Sequence, residues 1–93
     1  MKFEYDKDKS IKNKQKHGID FEEAKSLWKD EKALIVPANV VDNEVRYALI
    51  SKFLKKCYVA IFTIRHEKYR IISVRRCRKN EEKNYENNIS QRV

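Results

Sequence analysis

The chain has 93 residues, 39% of them charged and 41% hydrophobic, and a formal net charge of +8. That length supplies one domain with a modest core, and the composition suits a folded α+β protein better than a disordered chain. No stretch approaches the roughly 20 apolar residues of a membrane helix. Charges also follow Met1 where a signal peptide needs an apolar run, so a cytoplasmic protein with no membrane partner is expected.

Residues 2–5 alternate polar and aromatic and read as a short opening strand. Asp6 stands where a helix cap belongs, ahead of a lysine-rich run whose one apolar position is Ile11 and which Gly18 terminates. A second helix starts at Asp20, where Asp20 and Glu23 form a capping-box pattern. Its apolar face is Phe21, Ala24, Leu27 and Trp28, a lid for a sheet. With the opening strand, these two helices make up residues 1–30.

Residues 33–36 form a short strand closed by Pro37, and 39–43 a polar loop. Three strands follow at 45–53, 57–65 and 69–76, joined tightly at 54–56 and around Glu67, which implies an antiparallel meander. The strand region thus covers 33–77. A charged, helix-capable segment at 78–88 ends in a fraying tail. Cys57 and Cys77 are too far apart for a CxxC unit, and the chain holds only two histidines. Reduced, partly buried thiols and no metal site are expected.

The strands carry an unusual load of arginine (Arg46, Arg65, Arg70, Arg75, Arg76 and, one step beyond, Arg78) among apolar neighbours. A buried guanidinium must be paired or left wet, so the sheet reads as offering an arginine-lined face to an anion, RNA phosphate above all. Period-two alternation sorts the faces if odd-numbered residues of the last two strands oppose one another. Arg46, Thr63, Arg65, Ser73 and Arg75 then share a polar face. Tyr47, Leu49, Tyr58, Ala60, Phe62, Ile64, Ile72 and Val74 share an apolar face that the helices cover. Arg76 falls on the covered side.

Four blocks in order carry a resemblance. The first, F-x-Y-D-x-x-K-x-x-x-N-x-x-K-H-G-I-x-F-E-E-A, runs from Phe3 through Lys9, Asn13, Lys16, His17 and Gly18 to Ala24. E-x-R-Y follows at Glu44, Arg46 and Tyr47, and F-T-x-R at Phe62, Thr63 and Arg65. R-I-I-S-x-R-R spans Arg70 to Arg76, trailed by Glu81, Glu82 and Tyr85. The chain resembles the BrnT family of bacterial toxins over nearly its whole length, although Tyr5 stands where the family usually has tryptophan. The resemblance implies the fold of RelE-like ribonuclease toxins, with helices on one side of a small antiparallel sheet. It implies RNA cleavage that blocks translation. It also implies a cognate antitoxin with a ribbon-helix-helix-type DNA-binding domain, through which the complex holds its operator DNA.

RNA cleavage without a metal needs a base for the 2′-hydroxyl, an acid for the leaving 5′-oxygen, and cations for the charge on phosphorus. Arg46, Arg65 and Arg75 offer planar forks to phosphate oxygens. Each also has a structural alternative, pairing with Glu22, Glu23 or Glu44. His17 is the candidate base because imidazole titrates near neutrality and Lys9 and Lys16 beside it favour the neutral ring; its alternative is a plain helix-ending residue. Tyr47, Tyr85 and Lys9 are reserves for proton transfer. Lys9 and Lys16 are candidates to track the RNA backbone, Tyr47 to stack a base, and Thr63, Ser73 and Arg76 to make further contacts; Arg76 reads equally as scaffold or antitoxin-facing. No carboxylate cluster has divalent-metal spacing, so no cofactor is expected. The competing reading is a non-catalytic basic module that binds nucleic acid or an antitoxin.

Overall fold

In a computed structural model, which describes residues 2–91, the chain begins as its caps dictate. β1 (Lys2–Glu4) ends at Asp6, whose carboxylate accepts from the amides of Asp8 and Lys9 at 2.9 and 3.1 Å and so starts α1 (Lys7–His17). Gly18 closes α1 with φ of 78°, its N–H on the Lys14 carbonyl. The capping box at Asp20 and Glu23 opens α2 (Phe21–Ala24), which continues as a 3₁₀ turn over Lys25–Lys29. Phe21, Ala24 and Leu27 are buried as expected.

The face that α1 turns inward is a surprise of residue type. Ile11 is 58% exposed, while Ser10 and Asn13 are each 7% exposed. Ser10 accepts the Phe21 N–H at 2.9 Å. Asn13 donates to the carbonyls of Ile19 (2.8 Å) and Val74 (2.9 Å) and accepts the Val74 N–H at 3.1 Å. The helix is docked by hydrogen bonds to backbone, a pattern no hydrophobic period reveals.

The remaining elements are β2 (Leu34–Val41), β3 (Glu44–Phe53), β4 (Lys56–Arg65), β5 (Lys68–Arg76) and α3 (Lys79–Gln91). β2 to β5 form the expected antiparallel meander, but the sheet is mixed, in the order β1-β5-β4-β3-β2, because β1 pairs parallel to β5. β2 does not stop at Pro37. It lies at the sheet edge, where the missing N–H costs no ladder bond, and runs on through a bulge between Pro37 and Val40, so the expected loop at 39–43 shrinks to a turn. The expected tail after Asn88 is helical through Gln91, and residues 92–93 lie outside the described residues.

Each hairpin turns on two residues with positive φ, at Asp42 and Asn43 (50° and 64°), Leu54 and Lys55 (51° and 67°), and His66 and Glu67 (52° and 62°). These are the values of the primed turns that match strand twist, usually supplied by glycine or asparagine. Asp42 and Asn43 suit them, whereas at Leu54, Lys55 and Glu67 the hairpin ladders impose them on side chains that disfavour them.

Helices cover both faces of the sheet, where one covered face was expected. The strand sequences explain this: CYVAIF and YALI are apolar at odd and even positions alike, the mark of strands buried on both sides. Leu49, Tyr58, Ala60, Phe62 and Val74 pack under α1 and α2. Ala48, Ile50, Cys57 and Val59 on the other face pack against Tyr85 of α3. Tyr85 also reaches round the sheet to donate to Asp30 at 2.6 Å. Burial alone pushes the Asp30 carboxyl up, but donors from Tyr85, Ser51 and the amides of Lys32 and Lys52 hold it below its usual range.

The odd-with-odd register holds from Tyr58 (opposite Arg76) to Ile61 (opposite Ser73), then slips at a bulge where Ile72 is the extra residue. Beyond it Phe62 faces Ile71, so Ile71 takes the core place expected for Ile72, and Ile64 is 51% exposed rather than covered. Cys57 and Cys77 form a disulfide, contrary to the expectation of free thiols. Twenty residues of separation conceal direct opposition across one hairpin, with Cα atoms 5.3 Å apart and the Cys77 N–H on the Cys57 carbonyl at 2.9 Å.

Asn13→Ala leaves three backbone groups without partners and is expected to cost about 3 kcal/mol, whereas Ile11→Ala stays within about 0.5 kcal/mol; urea unfolding of both variants decides whether Asn13 is the anchor. Lys55→Gly relieves a left-handed side chain and is expected to add about 1 kcal/mol, read as a higher melting temperature.

Candidate functional site

α3 leaves part of the second face open. There a cavity of about 500 Å³ has a floor that includes Ala48, Val59 and Ile61 and a rim of Arg46, Arg75, Arg78 and Glu81. Both bulges of the sheet end at this cavity: Asn39 of the first and Ile72 and Ser73 of the second line it. Bulges re-aim side chains and gather near functional sites, and here two on separate strands converge.

Arg75 presents its fork to Glu81 in two parallel bonds, Nη1 to Oε1 at 2.8 Å and Nη2 to Oε2 at 2.7 Å. Glu81 also accepts the Arg78 N–H at 2.7 Å, which caps the first turn of α3. The hydrogen bond from Arg75 outweighs burial and holds the Glu81 carboxyl below the usual glutamate range. Arg46 keeps a buried Nε without a hydrogen-bond partner, 3.8 Å from Glu44 Oε1. The Arg78 side chain enters no ion pair among the described residues. The fork already holds the two oxygens of one planar carboxylate, beside two under-used guanidiniums, an arrangement whose geometry also suits two oxygens of a phosphate.

The candidate residues do not all gather here. Arg46, Ser73 and Arg75 do. Arg65 lies on the same side of the sheet but opposite Lys68, whereas Arg75 is opposite Val59. Six residues of strand separate them along β4, roughly 20 Å, too far for one phosphate. Arg65 instead pairs with Glu44, whose other oxygen faces Arg46. Thr63 is 2% exposed and donates to the Val45 carbonyl at 2.7 Å, a structural role. The Tyr47 ring packs on Phe62 under the first helix layer, centroids 5.5 Å apart. Arg76 stacks over Tyr58 at 5.6 Å and donates to the Cys57 carbonyl at 3.3 Å, both contacts within the fold.

His17, Lys9 and Lys16 line a separate depression of about 210 Å³ on the α1 side of β5, which Ile72 and Ser73 also line. The cavity residues to which the sequence reading gives no place are Asn39 and Glu81; Arg78 is counted there among the arginines but given no role of its own. Asn39 was hidden in an expected loop, and Glu81 stood in the trailing block of the resemblance with no role. Among the described residues no group of three or more His, Cys, Asp or Glu side chains is placed to hold a metal.

Glu81→Gln removes the charge that occupies Arg75. It is expected to cost about 1–2 kcal/mol of stability at neutral pH. Because the folded-state carboxyl titrates below its unfolded value, that contribution is complete above the ordinary glutamate range and is lost as the pH falls through the depressed value. Unfolding midpoints of the two proteins should therefore converge in strong acid.

A profile of the family described as "Ribonuclease toxin, BrnT, of type II toxin-antitoxin system" matches residues 5–81. No curated protein sequence matches the chain. The matched span runs from Tyr5 to Glu81 and so takes in α1 with His17, the whole meander and both partners of the Arg75–Glu81 pair. With three helices, a five-stranded mixed sheet and a match over most of its length, the chain belongs to the BrnT family of type II ribonuclease toxins.

Proposed function

We propose that the chain is a metal-independent endoribonuclease that inhibits translation in the cytoplasm, with the RelE-like fold its family resemblance implies. The observation that carries this is the Arg75 fork, presented in parallel bonds to a carboxylate at the rim of an open cavity beside Arg46 and Arg78. A phosphodiester offers the same two-oxygen edge, and when it enters it takes the place of Glu81 on Arg75.

In the proposed reaction the ribose 2′-oxygen attacks phosphorus and the bond from phosphorus to the 5′-oxygen breaks. A base takes the 2′-hydroxyl proton, and an acid returns one to the 5′-oxygen. Arg75 and Arg46 stabilise the charge on the phosphoryl oxygens, since preorganised donors in a partly desolvated site act most strongly where charge develops. His17 is the proposed proton-transfer group, an imidazole in the depression that shares Ile72 and Ser73 with the arginine cavity. Lys9 and Lys16 hold backbone phosphates. Arg65 acts as a positioning residue, holding Glu44 so that Glu44 orients Arg46.

The partner is an antitoxin, as the family requires, and we assign it a ribbon-helix-helix-type domain through which the pair binds operator DNA. The net charge of +8 favours an acidic partner surface. One observation supports a second reading, a non-catalytic module: Glu81 shows that the Arg75 fork accepts a carboxylate, so an acidic antitoxin side chain fits the same place.

Purified protein should cleave labelled RNA in EDTA. Arg75→Ala should lower the initial rate about 100-fold or more, and Arg65→Ala about tenfold or less. Cleavage only with added Mg²⁺ removes the metal-independent mechanism. Tight, salt-sensitive binding with no cleavage favours the module. Equal losses in the two variants remove the positioning role of Arg65.

A further inference from the structure

The arginine cavity and the lysine-histidine depression lie on opposite sides of β5, yet Ile72 and Ser73 line both. That sharing has a cause in the sheet. β1 covers the outer edge of β5 only at Lys68–Arg70, and further along the edge is met by α1 through Asn13 at Val74. Between them, at the bulge, a single strand less than about 5 Å wide separates the two concavities.

Charge is distributed along this crossing. On α1, Lys14 has an acidic partner, Glu23 at 2.7 Å. Lys9, Lys12 and Lys16 form no ion pair among the described residues, and no carboxylate lines their depression. On the far side stand Arg46, Arg75 and Arg78 with one carboxylate, Glu81. Lys9 and Lys16 are seven positions apart, about 10.5 Å along the helix axis, and Lys12 lies between them.

We propose that single-stranded RNA crosses the edge of β5 at Ser73, with one phosphate in the arginine cavity and the adjoining stretch of backbone on Lys9, Lys12 and Lys16. This rests on the ribonuclease reading and deepens it, because the crossing brings the strand past His17 as it leaves Arg75. The scissile phosphate then sits at the Ser73 ridge, between the proton-transfer group and the cation. A duplex is too wide and stiff to fold over one strand, so the substrate class is unpaired RNA. Lys12 becomes a binding residue that acts on the length of strand held, apart from the chemical step.

The test uses mixed-sequence 2′-O-methyl oligonucleotides, which lack the attacking hydroxyl, in lengths of two, four, six and eight nucleotides, with affinity read by fluorescence anisotropy over a salt series. Affinity should rise with length and then level. Lys12→Glu should leave the dinucleotide unaffected, weaken the hexanucleotide about tenfold and lower its salt slope by roughly one. Lys55→Glu, the same charge change at a distant hairpin, is the control, and Ser73→Tyr should block the crossing and remove the length dependence with its circular dichroism unchanged. Equal effects of Lys12→Glu and Lys55→Glu overturn the path, as does affinity that ignores length in the native protein. Length-dependent binding sensitive to Lys12 but with no cleavage of ordinary RNA supports the path and sinks the ribonuclease reading alone. Cleavage with no Lys12 effect does the reverse. A duplex of the same length bound as tightly as the single strand overturns the substrate class.

Discussion

One primary amide holds the first helix to the sheet. Asn13 meets the N–H and the carbonyl of Val74 as a neighbouring strand would, and its second proton goes to the Ile19 carbonyl at the start of the next segment. The edge of β5 that β1 leaves uncovered is therefore closed at one residue by a side chain. Buried backbone groups need partners, so the fold has little freedom in where α1 lies. Since α1 carries His17 and the lysines, the same amide fixes their distance from β5. A hydrophobic contact of equal strength would tolerate sliding by a turn, whereas three directional bonds do not.

How far the residues disclose this depends on the kind of signal. Caps are local, and Asp6, Gly18 and the Asp20–Glu23 box are all where the sequence implies. Strand existence was equally legible from β-branched and aromatic runs. Two-sided burial was legible in principle, because CYVAIF shows no alternation, but a period-two sorting forces residues such as Val59 and Ile61 out of view. Bulges carry no signature here: nothing in RIISV marks Ile72 as the extra residue, and one extra residue exchanges the faces of everything beyond it. The Cys57–Cys77 pairing and the parallel β1–β5 contact are long-range facts that only the assembled topology supplies.

The candidate site shows the same division. Arg46, Ser73 and Arg75 could be placed together by alternation, since they sit on one side of the bulge or across from it in register. Arg65 was grouped with them by parity, which reports the face of a sheet and says nothing about distance along it. Its partner Glu44 also faces Arg46, so Arg65 is linked to the cavity through a shared carboxylate, which is the ground for the positioning role proposed for it. Thr63, grouped with the arginines by parity, is buried and donates to the Val45 carbonyl, while Tyr47, on the apolar face, packs on Phe62.

The distribution of partners among the cations separates two tasks that net charge blurs. At the cavity Arg75 is held by a carboxylate, Glu81, so its fork is oriented before any ligand arrives and its field is largely cancelled at a distance. The unpaired lysines of α1 do not orient anything, but their field reaches about a Debye length into solvent. On the proposed reading, attraction of a polyanion falls to lysine and its registration to arginine. A phosphate that displaces Glu81 exchanges one oriented anion for another, which keeps the reorganisation of Arg75 small at the step where charge accumulates on phosphorus. The displaced carboxylate remains beside the site on the first turn of α3, capped to the Arg78 amide. The cavity therefore favours a ligand that satisfies Arg46 and Arg78 as well as Arg75, since one that meets Arg75 alone gains nothing over the carboxylate already there.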